Sequence, residues 1–454
     1  MDVMPGTISE PLDFAPTGPM LAAAIDELRE LGARGGGAVN FSERERALQS
    51  FLRAQRERTV LPPGWRHDYA KLDFAGLEWS SGRARVPVLP RAASARSDAD
   101  DVPALAVDNA GGIVHVGSTY LEPLETSADP RVRLAALADA GSSAEATHLR
   151  IVAPQTDRFT ALATAFQNCG AYVEVPAGVV PAAPLQLVWM SRPGPPAAVF
   201  PHTVIRVGAG ARVTIVERHI GRAETFIAGI VEAELGPDAR LDYVAVQQTD
   251  DGARFFMHRR ARCAAGATIG WHVADLGGAL VRTVCSAQLA AARASAETNA
   301  FFFAHGFAHV DAVVDADHDA SRTESQTTIR CAATDRARGR FAGALRFAPN
   351  ATRCLASMRD DGLILSRDAY LDAAPTLAVP AHRVSASHST NIGSLDEEEL
   401  FYVQSRGISR GLAERMMAMA FFEPAISRFP TDAVRDEVRT ALDTRLNDVP
   451  DTFE

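Results

Sequence analysis

A short motif recurs along the middle of the chain at a nearly constant interval. It joins a turn of small residues to an extended run, and one such unit cannot bury its apolar face alone, whereas a stack of units can. Its clearest copies start at Gly208, Gly236 and Ala264, about 28 residues apart, with weaker echoes near Ala291 and Asp319. This spacing predicts a mainly β fold in which residues 151–394 form a β-solenoid.

Helical patterns flank this region. Residues Met20–Leu31 and Glu43–Arg58 are rich in strong helix formers, which predicts an N-terminal helical or mixed domain over residues 1–150. Beyond the solenoid, Ser394 followed by Glu397 has the spacing of a capping box, and Gly407 is typical of a helix C-terminus. These signals predict a C-terminal helical module over residues 395–454.

Composition excludes several classes of function. The chain has 454 residues and a net charge of −10, and an acidic surface does not suit nucleic acid or an anionic membrane. Its five cysteines contain no CxxC pair, which indicates a reducing compartment. Because the N-terminus is not typical of a secretory signal and no run of eighteen apolar residues exists, we expect a cytoplasmic protein.

A stretch of about fifty residues resembles a known signature. It contains, in order, Gly362–Ser366 (GLILS), Pro375–Val379 (PTLAV), Ser387-His388, Gly393–Tyr402 (GSLDEEELFY) and Ser405–Ile408 (SRGI). Together these segments are similar to the C-terminal signature of the SufB/SufD family of iron–sulfur cluster assembly proteins. The Ser-His step without a following glutamate is more like SufD than SufB.

This resemblance implies a right-handed parallel β-helix. It also implies a non-catalytic scaffold subunit that works with a SufB-like subunit and a SufC-like ATPase, either in a heterodimer or in a homodimer. The chain has no GxxxxGK[ST] phosphate loop, so ATP hydrolysis would come from a partner. The implied cofactor is a transient iron–sulfur cluster, or iron, at a subunit interface.

His388 is the residue most directly implicated by the resemblance, which implies that it lies at the cluster-assembly interface. A neutral imidazole is a suitable iron ligand, although a lone histidine is more often structural. The family often has a cysteine two residues before this histidine, whereas this chain has Ala386. Any thiolate ligand would therefore come from elsewhere.

Two further groups of residues could bind metal. His305 and His309, with His318 nearby, would project to one face if their segment were a strand, although such histidines are more often structural. Cys354 lies within the signature stretch, but an isolated cysteine is usually a small buried hydrophobic residue.

The C-terminal helical module is rich in methionine and aromatic residues. Such a face forms either an internal core or a groove for a partner. The resemblance implies that this region docks the ATPase, and the candidate contact residues are Phe401, Tyr402, Arg406 and Met416.

Two other functions remain open on the sequence. A carbohydrate-active β-helix enzyme, a lyase or hydrolase, could use clustered carboxylates such as Asp311, Asp315, Asp317 and Asp319. Aromatic residues make up only 7% of the chain, which disfavours a sugar-binding groove. A structural protein without a site is the third possibility.

Overall fold

The computed structural model describes residues 25–26, 28, 41–56, 78–79, 85–86, 111–116, 119–121, 129–137, 151–191, 197–221 and 224–448. Within these ranges the protein is mainly β, with a parallel β-solenoid of about eight turns and helices toward both ends. The predicted fold class is therefore confirmed. Of the two predicted N-terminal helices, the second is largely described, and most of Met20–Leu31 lies outside the described residues.

The described helices are α1 (Phe41–Arg56), α2 (Arg158–Phe166), α3 (Glu397–Ser405), α4 (Arg410–Ile426) and α5 (Asp432–Asp448). Strands β1 to β22 are, in chain order, Glu78–Trp79, Arg85–Val86, Gly112–Val116, Thr119–Leu121, Arg133–Ala136, Cys169–Val175, Leu185–Ser191, Ala197–Val199, Pro201–Val207, Arg212–Gly221, Thr225–Leu235, Arg240–Gln248, Arg254–Cys263, Thr268–Asp275, Leu280–Leu289, Ser295–Ala304, His309–His318, Glu324–Ala333, Arg338–Phe347, Leu355–Ile364, Tyr370–Ala378 and Ser385–Ser394.

The strands of the solenoid alternate between two sheets. The first sheet runs β9-β11-β13-β15-β17-β19-β21, and the second runs β7-β10-β12-β14-β16-β18-β20-β22. Neighbours within these runs are parallel, because the chain makes a full circuit before it returns to the same sheet. Among the described residues, β22 is the last strand of the second sheet.

The length of one circuit drifts along the solenoid. Two early circuits are equal in length, since Arg212 pairs with Arg240 and Arg240 pairs with Thr268. The later circuit that leads from Glu324 to its partner Leu355 is longer. In this later circuit the extra residues lie in the longer turn between β19 and β20.

Two glycines of the repeat motif are required by close stacking of the turns. A Cβ atom at Gly208 would lie 2.4 Å from the backbone nitrogen of Ala177, and one at Gly236 would lie 2.8 Å from that of Ala209. Because both neighbours are backbone atoms, no side-chain rearrangement relieves the contact. The small-residue signal that reveals the repeat therefore has a steric origin.

Alternate residues of each strand fill the interior of the solenoid. This core is largely aliphatic and aromatic. It also encloses an ion pair, in which Arg259 Nη2 donates to Glu217 Oε2 at 2.8 Å, and neither side chain is exposed. Burial raises the pKa of Glu217, but the charges of Arg259 and His219 outweigh it and lower that pKa to about 2.

Helices cover the outer faces of both sheets. On the first sheet, α1 and α2 pack through Phe51 and Leu162 against Phe226 and Phe256. On the second sheet, α4 and α5 pack against the solenoid through Phe422, Phe429, Val434, Val438, Leu442 and Leu446. At the start of α5, Thr431 Oγ1 accepts a hydrogen bond from Val434 N.

The start of α3 differs from the sequence prediction. Ser394 ends strand β22, and the cap is Asp396, whose side chain accepts hydrogen bonds from Glu398 N at 2.8 Å and Glu399 N at 3.2 Å. The predicted capping box at Ser394 is therefore wrong, because the strand pairing of β22 with β20 holds that serine in extended conformation. Gly407 has a φ of 87° and ends the helix as expected.

Candidate functional site

The open end of the solenoid carries His388. This residue lies on β22, where residues Ala386, His388, Thr390 and Ile392 alternate toward the interior. Its side chain is 20% exposed, so it is neither fully buried in the core nor fully exposed to solvent. His388 therefore lies where the interior of the solenoid meets its surroundings.

Asp360 holds the imidazole of His388 in place. Asp360 Oδ2 lies 2.9 Å from His388 Nε2, and the carboxylate is fully buried on the neighbouring strand β20. The hydroxyl of Thr390 is also 3.0 Å from Nε2. Because Nε2 is engaged by the carboxylate, Nδ1 is the ring nitrogen left for a ligand.

This pairing matches the usual support of a metal-binding histidine, in which the second ring nitrogen donates to a carboxylate. Burial raises the pKa of Asp360, although the hydrogen bond and charge of His388 act against that shift. Asp360 Oδ1 has no hydrogen-bond partner among the described residues. The pair thus offers one oriented imidazole and one buried carboxylate oxygen at the same end of the solenoid.

Sequence reasoning did not identify Asp360 as a site residue. In the sheet, Met358 is the residue paired with His388, and Asp360 lies two positions further along β20, paired with Thr390. Residues one circuit apart are neighbours in the same sheet, and β20 and β22 pair in this way. The sequence repeat therefore does not identify Asp360, because its contact with His388 runs diagonally between the two strands.

The other predicted histidines do not form a site. His305 lies in the turn between β16 and β17, so the expectation that it shares a strand face with His309 is wrong. His318 is buried, and its two ring nitrogens lie 2.8 Å from the hydroxyl of Thr323 and 2.9 Å from that of Ser325. Burial lowers the pKa of His318 to about 4.

The cysteines are small buried residues. Cys354 is fully buried, and its sulfur lies 3.3 Å from both Thr323 Oγ1 and Ala320 O. Burial raises the pKa of Cys169, Cys263, Cys285 and Cys331 to about 12 each. These four thiols are protonated at neutral pH, and a thiol is a much poorer metal ligand than a thiolate.

The aspartates of β17 are engaged by arginines. Asp315 lies 2.9 Å from Arg346, Asp317 lies 2.9 Å from Arg260, and Asp311 pairs with Arg282. Paired in this way, the carboxylates balance charge on the outer face of the first sheet. This arrangement does not favour the carbohydrate-active enzyme.

The four candidate contact residues for a partner lie along α3, at its C-terminal end and on α4. Phe401 is 72% exposed, Tyr402 is 60% exposed and Met416 is 47% exposed. Arg406 Nη2 donates to Tyr402 Oη at 3.1 Å and its guanidinium lies over that ring. The apolar residues of α3 are thus only partly packed: Leu400 is buried, whereas Phe401 is exposed.

Comparison of the sequence with models of protein families shows which family the chain belongs to. The family model of the SUF system FeS cluster assembly SufBD core domain matches residues 189–421, just over half of the chain. The chain belongs to this family. The matched region runs from β7 to α4, and so contains most of the solenoid, His388 and Asp360.

Individual relatives carry the same family names. The iron–sulfur cluster assembly protein SufD of Escherichia coli (strain K12) is 25% identical over 239 residues, which are 52% of this chain and 56% of that protein. SufD of Bacillus subtilis (strain 168) is 25% identical over 293 residues, 64% of this chain and 67% of that protein.

SufB of Bacillus subtilis (strain 168) is also similar, at 24% identity over 286 residues, 62% of this chain and 61% of that protein. The chain thus matches between about half and two thirds of the length of these SufBD family relatives. No helix among the described residues has the length and apolarity needed to cross a membrane.

Proposed function

We propose that this protein is a non-catalytic scaffold subunit for iron–sulfur cluster assembly in the cytoplasm, with His388 as an iron ligand. The observation that carries the proposal is the His388–Asp360 pair at the open end of a SufBD-family solenoid. An imidazole oriented by a buried carboxylate is prepared to bind a metal without further rearrangement.

Such a site needs ligands from a second chain. Iron in proteins takes several ligands, and the described residues contain no group of three or more histidines, cysteines or acidic residues that could hold a metal ion. The imidazole of His388, oriented by Asp360, therefore supplies only one ligand of a site. We propose that a SufB-like subunit, or a second copy of this chain, provides the remaining ligands.

The end of the solenoid is suited to such a partner. Strands β21 and β22 are largely exposed, and Leu377 and Val379 present apolar side chains there at 46% and 39% exposure. An exposed strand edge is a ready template for strand pairing with another chain. Docking at this edge would bring the partner's ligands toward His388.

We propose a second contact, with a SufC-like ATPase, through Phe401, Tyr402, Arg406 and Met416. Phe401 and Tyr402 are mostly exposed, and Met416 is nearly half exposed. Exposed aromatic residues and arginine are the residue types most often found at interface hot spots. The ATPase would bind this surface while the rest of α4 and α5 remains fixed to the second sheet.

The test is reconstitution of the complex. The protein is co-expressed with a SufB-like subunit and a SufC-like ATPase, and the purified complex is compared with that of His388→Gln after cluster assembly. Bound iron and sulfide should fall sharply in the variant, with complex formation unchanged. Equal iron and sulfide in both complexes would remove His388 from the site, and failure of the wild-type chain to copurify with either partner would refute the scaffold.

A further inference from the structure

One edge of the solenoid carries a ladder of arginines. Each circuit passes from the first sheet to the second through a turn, and the same position of seven successive turns has a φ between 54° and 68°. This position lies two residues before the first residue of each second-sheet strand from β10 to β22. Those first residues pair with one another in the sheet and are Arg212, Arg240, Thr268, Ser295, Glu324, Leu355 and Ser385. Its occupants are Gly210, Asp238, Gly266, Arg293, Arg322, Arg353 and Arg383.

The last four occupants are unusual for this conformation. The left-handed region favours glycine, because a Cβ atom there crowds the backbone, and two of the first three occupants are glycines. Arginine replaces them in four consecutive turns. Residues in this region of φ cluster at functional sites, so a series of four arginines points to a role for their guanidinium groups.

The four guanidinium groups have no ion-pair partner within the described part of the chain. Arg293, Arg322, Arg353 and Arg383 are exposed, and none forms an ion pair or side-chain hydrogen bond with another described residue. Most other arginines of the solenoid are paired, such as Arg260 with Asp317. Four like charges in adjacent turns repel one another, so their arrangement suits an external anion.

The turns are fixed to one another by their backbones. Arg322 N donates to Thr352 O at 2.9 Å, and Arg353 N donates to Arg383 O at 2.7 Å. Adjacent parallel strands are about 4.8 Å apart, so four consecutive turns present one positive charge about every 4.8 Å over about 14 Å. The backbones that carry the arginines are therefore stacked at the spacing of adjacent strands.

We propose that this ladder binds an acidic α-helix of a partner protein. In an α-helix, acidic residues at positions i, i+3, i+7 and i+10 lie along one side with a mean rise of about 5 Å between them. This rise matches the spacing of the ladder, whereas acidic residues on one side of an extended strand are about 6.7 Å apart. Arginine also binds carboxylates with two parallel hydrogen bonds.

Nucleic acid fits the same surface less well. Single-stranded nucleic acid is held by aromatic side chains that stack on its bases as well as by positive charge. The four turns that carry the arginines contain no aromatic residue between positions 290–294, 319–323, 348–354 and 379–384 other than the imidazole of His382. The chain also has a net charge of −10, which disfavours a long polyanion beyond the ladder itself.

The test uses a fluorescent helical peptide of about 18 residues with glutamates at the matching positions. The control peptide has the same composition with its glutamates spread around the helix. Binding to the full chain is measured by anisotropy at about 50 mM and about 200 mM salt. We expect the matched peptide to bind more tightly than the control, and its affinity to fall with salt.

The informative variant is Arg322→Gly with Arg353→Gly. Glycine relaxes the backbone at both positions, so thermal stability should be unchanged or higher, while peptide affinity should fall by about tenfold or more. The matched control is Arg336→Ala with Arg367→Ala, which removes two charges from neighbouring turns on the opposite edge and should leave affinity unchanged.

Three outcomes would overturn the proposal. The first is salt-independent or undetectable binding of the matched peptide by the wild-type chain. The second is equal affinity of the double glycine variant. The third is tighter binding of inorganic polyphosphate or a single-stranded oligonucleotide through the same arginines, which would assign the ladder to a different class of ligand.

Discussion

Replacement of His388 by alanine removes the hydrogen-bond partner of a buried carboxylate. Asp360 is fully buried, and its other oxygen, Oδ1, already has no partner among the described residues. Loss of one partner from a charged hydrogen bond costs about 1.5–3 kcal/mol when the charge stays buried. We expect His388→Ala to lower the free energy of unfolding by about 2 kcal/mol at pH 7. This loss is larger than expected for truncation of a partly exposed side chain at the end of the solenoid.

This loss should depend on pH. Burial raises the pKa of Asp360 above its ordinary value of 3.8, and His388 partly opposes that shift. A carboxyl whose pKa is raised on folding favours the folded state below the unfolded pKa, and this contribution is lost as the pH rises through the folded pKa. Removal of His388 raises the folded pKa further. The deficit of the alanine variant should therefore be greatest at neutral pH and shrink toward pH 3.8.

Thermal unfolding of three variants separates the structural role from metal binding. His388→Gln keeps an N–H donor that reaches Asp360, so its stability should be close to wild type while the imidazole ligand is lost. Asp360→Asn keeps a hydrogen-bond acceptor without the charge, and iron affinity should fall by about 10–100-fold because the imidazole is held less well. Equal destabilisation by His388→Ala and His388→Gln, or an alanine deficit that does not change with pH, would refute this reasoning.

Three further predictions concern the rest of the molecule. Phe401→Glu with Met416→Glu should abolish copurification of the ATPase while the melting temperature stays unchanged, because both side chains are exposed; retained copurification would move the interface elsewhere. Gly208→Ala should lower the melting temperature strongly in calorimetry, since its Cβ meets backbone at 2.4 Å; a wild-type value would contradict the stacking argument. Glu217→Gln leaves Arg259 buried without its partner and should cost about 3–5 kcal/mol in chemical denaturation. The contribution of Glu217 is present above its ordinary pKa of 4.5 and lost as the pH falls toward about 2, so a variant that loses nothing at pH 7 would contradict the ion pair.

The solenoid could be predicted from the sequence because its signals are local. Turns with small residues at Gly208 and Gly236 recur because each turn stacks directly on the next, so sterics impose the same residue type once per circuit. The helical tail could be predicted for a similar reason, since the helix-ending signal of Gly407 is local to its own turn. Such patterns survive in a single sequence.

The geometry of the site depended on the register between distant strands. The circuit lengthens along the solenoid, and only the folded chain shows which residue of β20 lies beside His388. The same holds for the cap of α3, where pairing of β22 overrides the serine signal in favour of Asp396. Tertiary contacts also decide which residues of the C-terminal helices are buried and which are exposed.

The sequence by itself determined the repeat and the turn chemistry, and it selected His388 as a candidate, because these rest on spacing and on a resemblance within contiguous segments. Only the tertiary structure decided that Asp360 supports that histidine. It also decided that four arginines occupy the same position of successive turns, namely Arg293, Arg322, Arg353 and Arg383. The physical reason is that side chains a full circuit apart meet only through the pairing of strands. That pairing is set by the lengths of turns, and these vary from one circuit to the next.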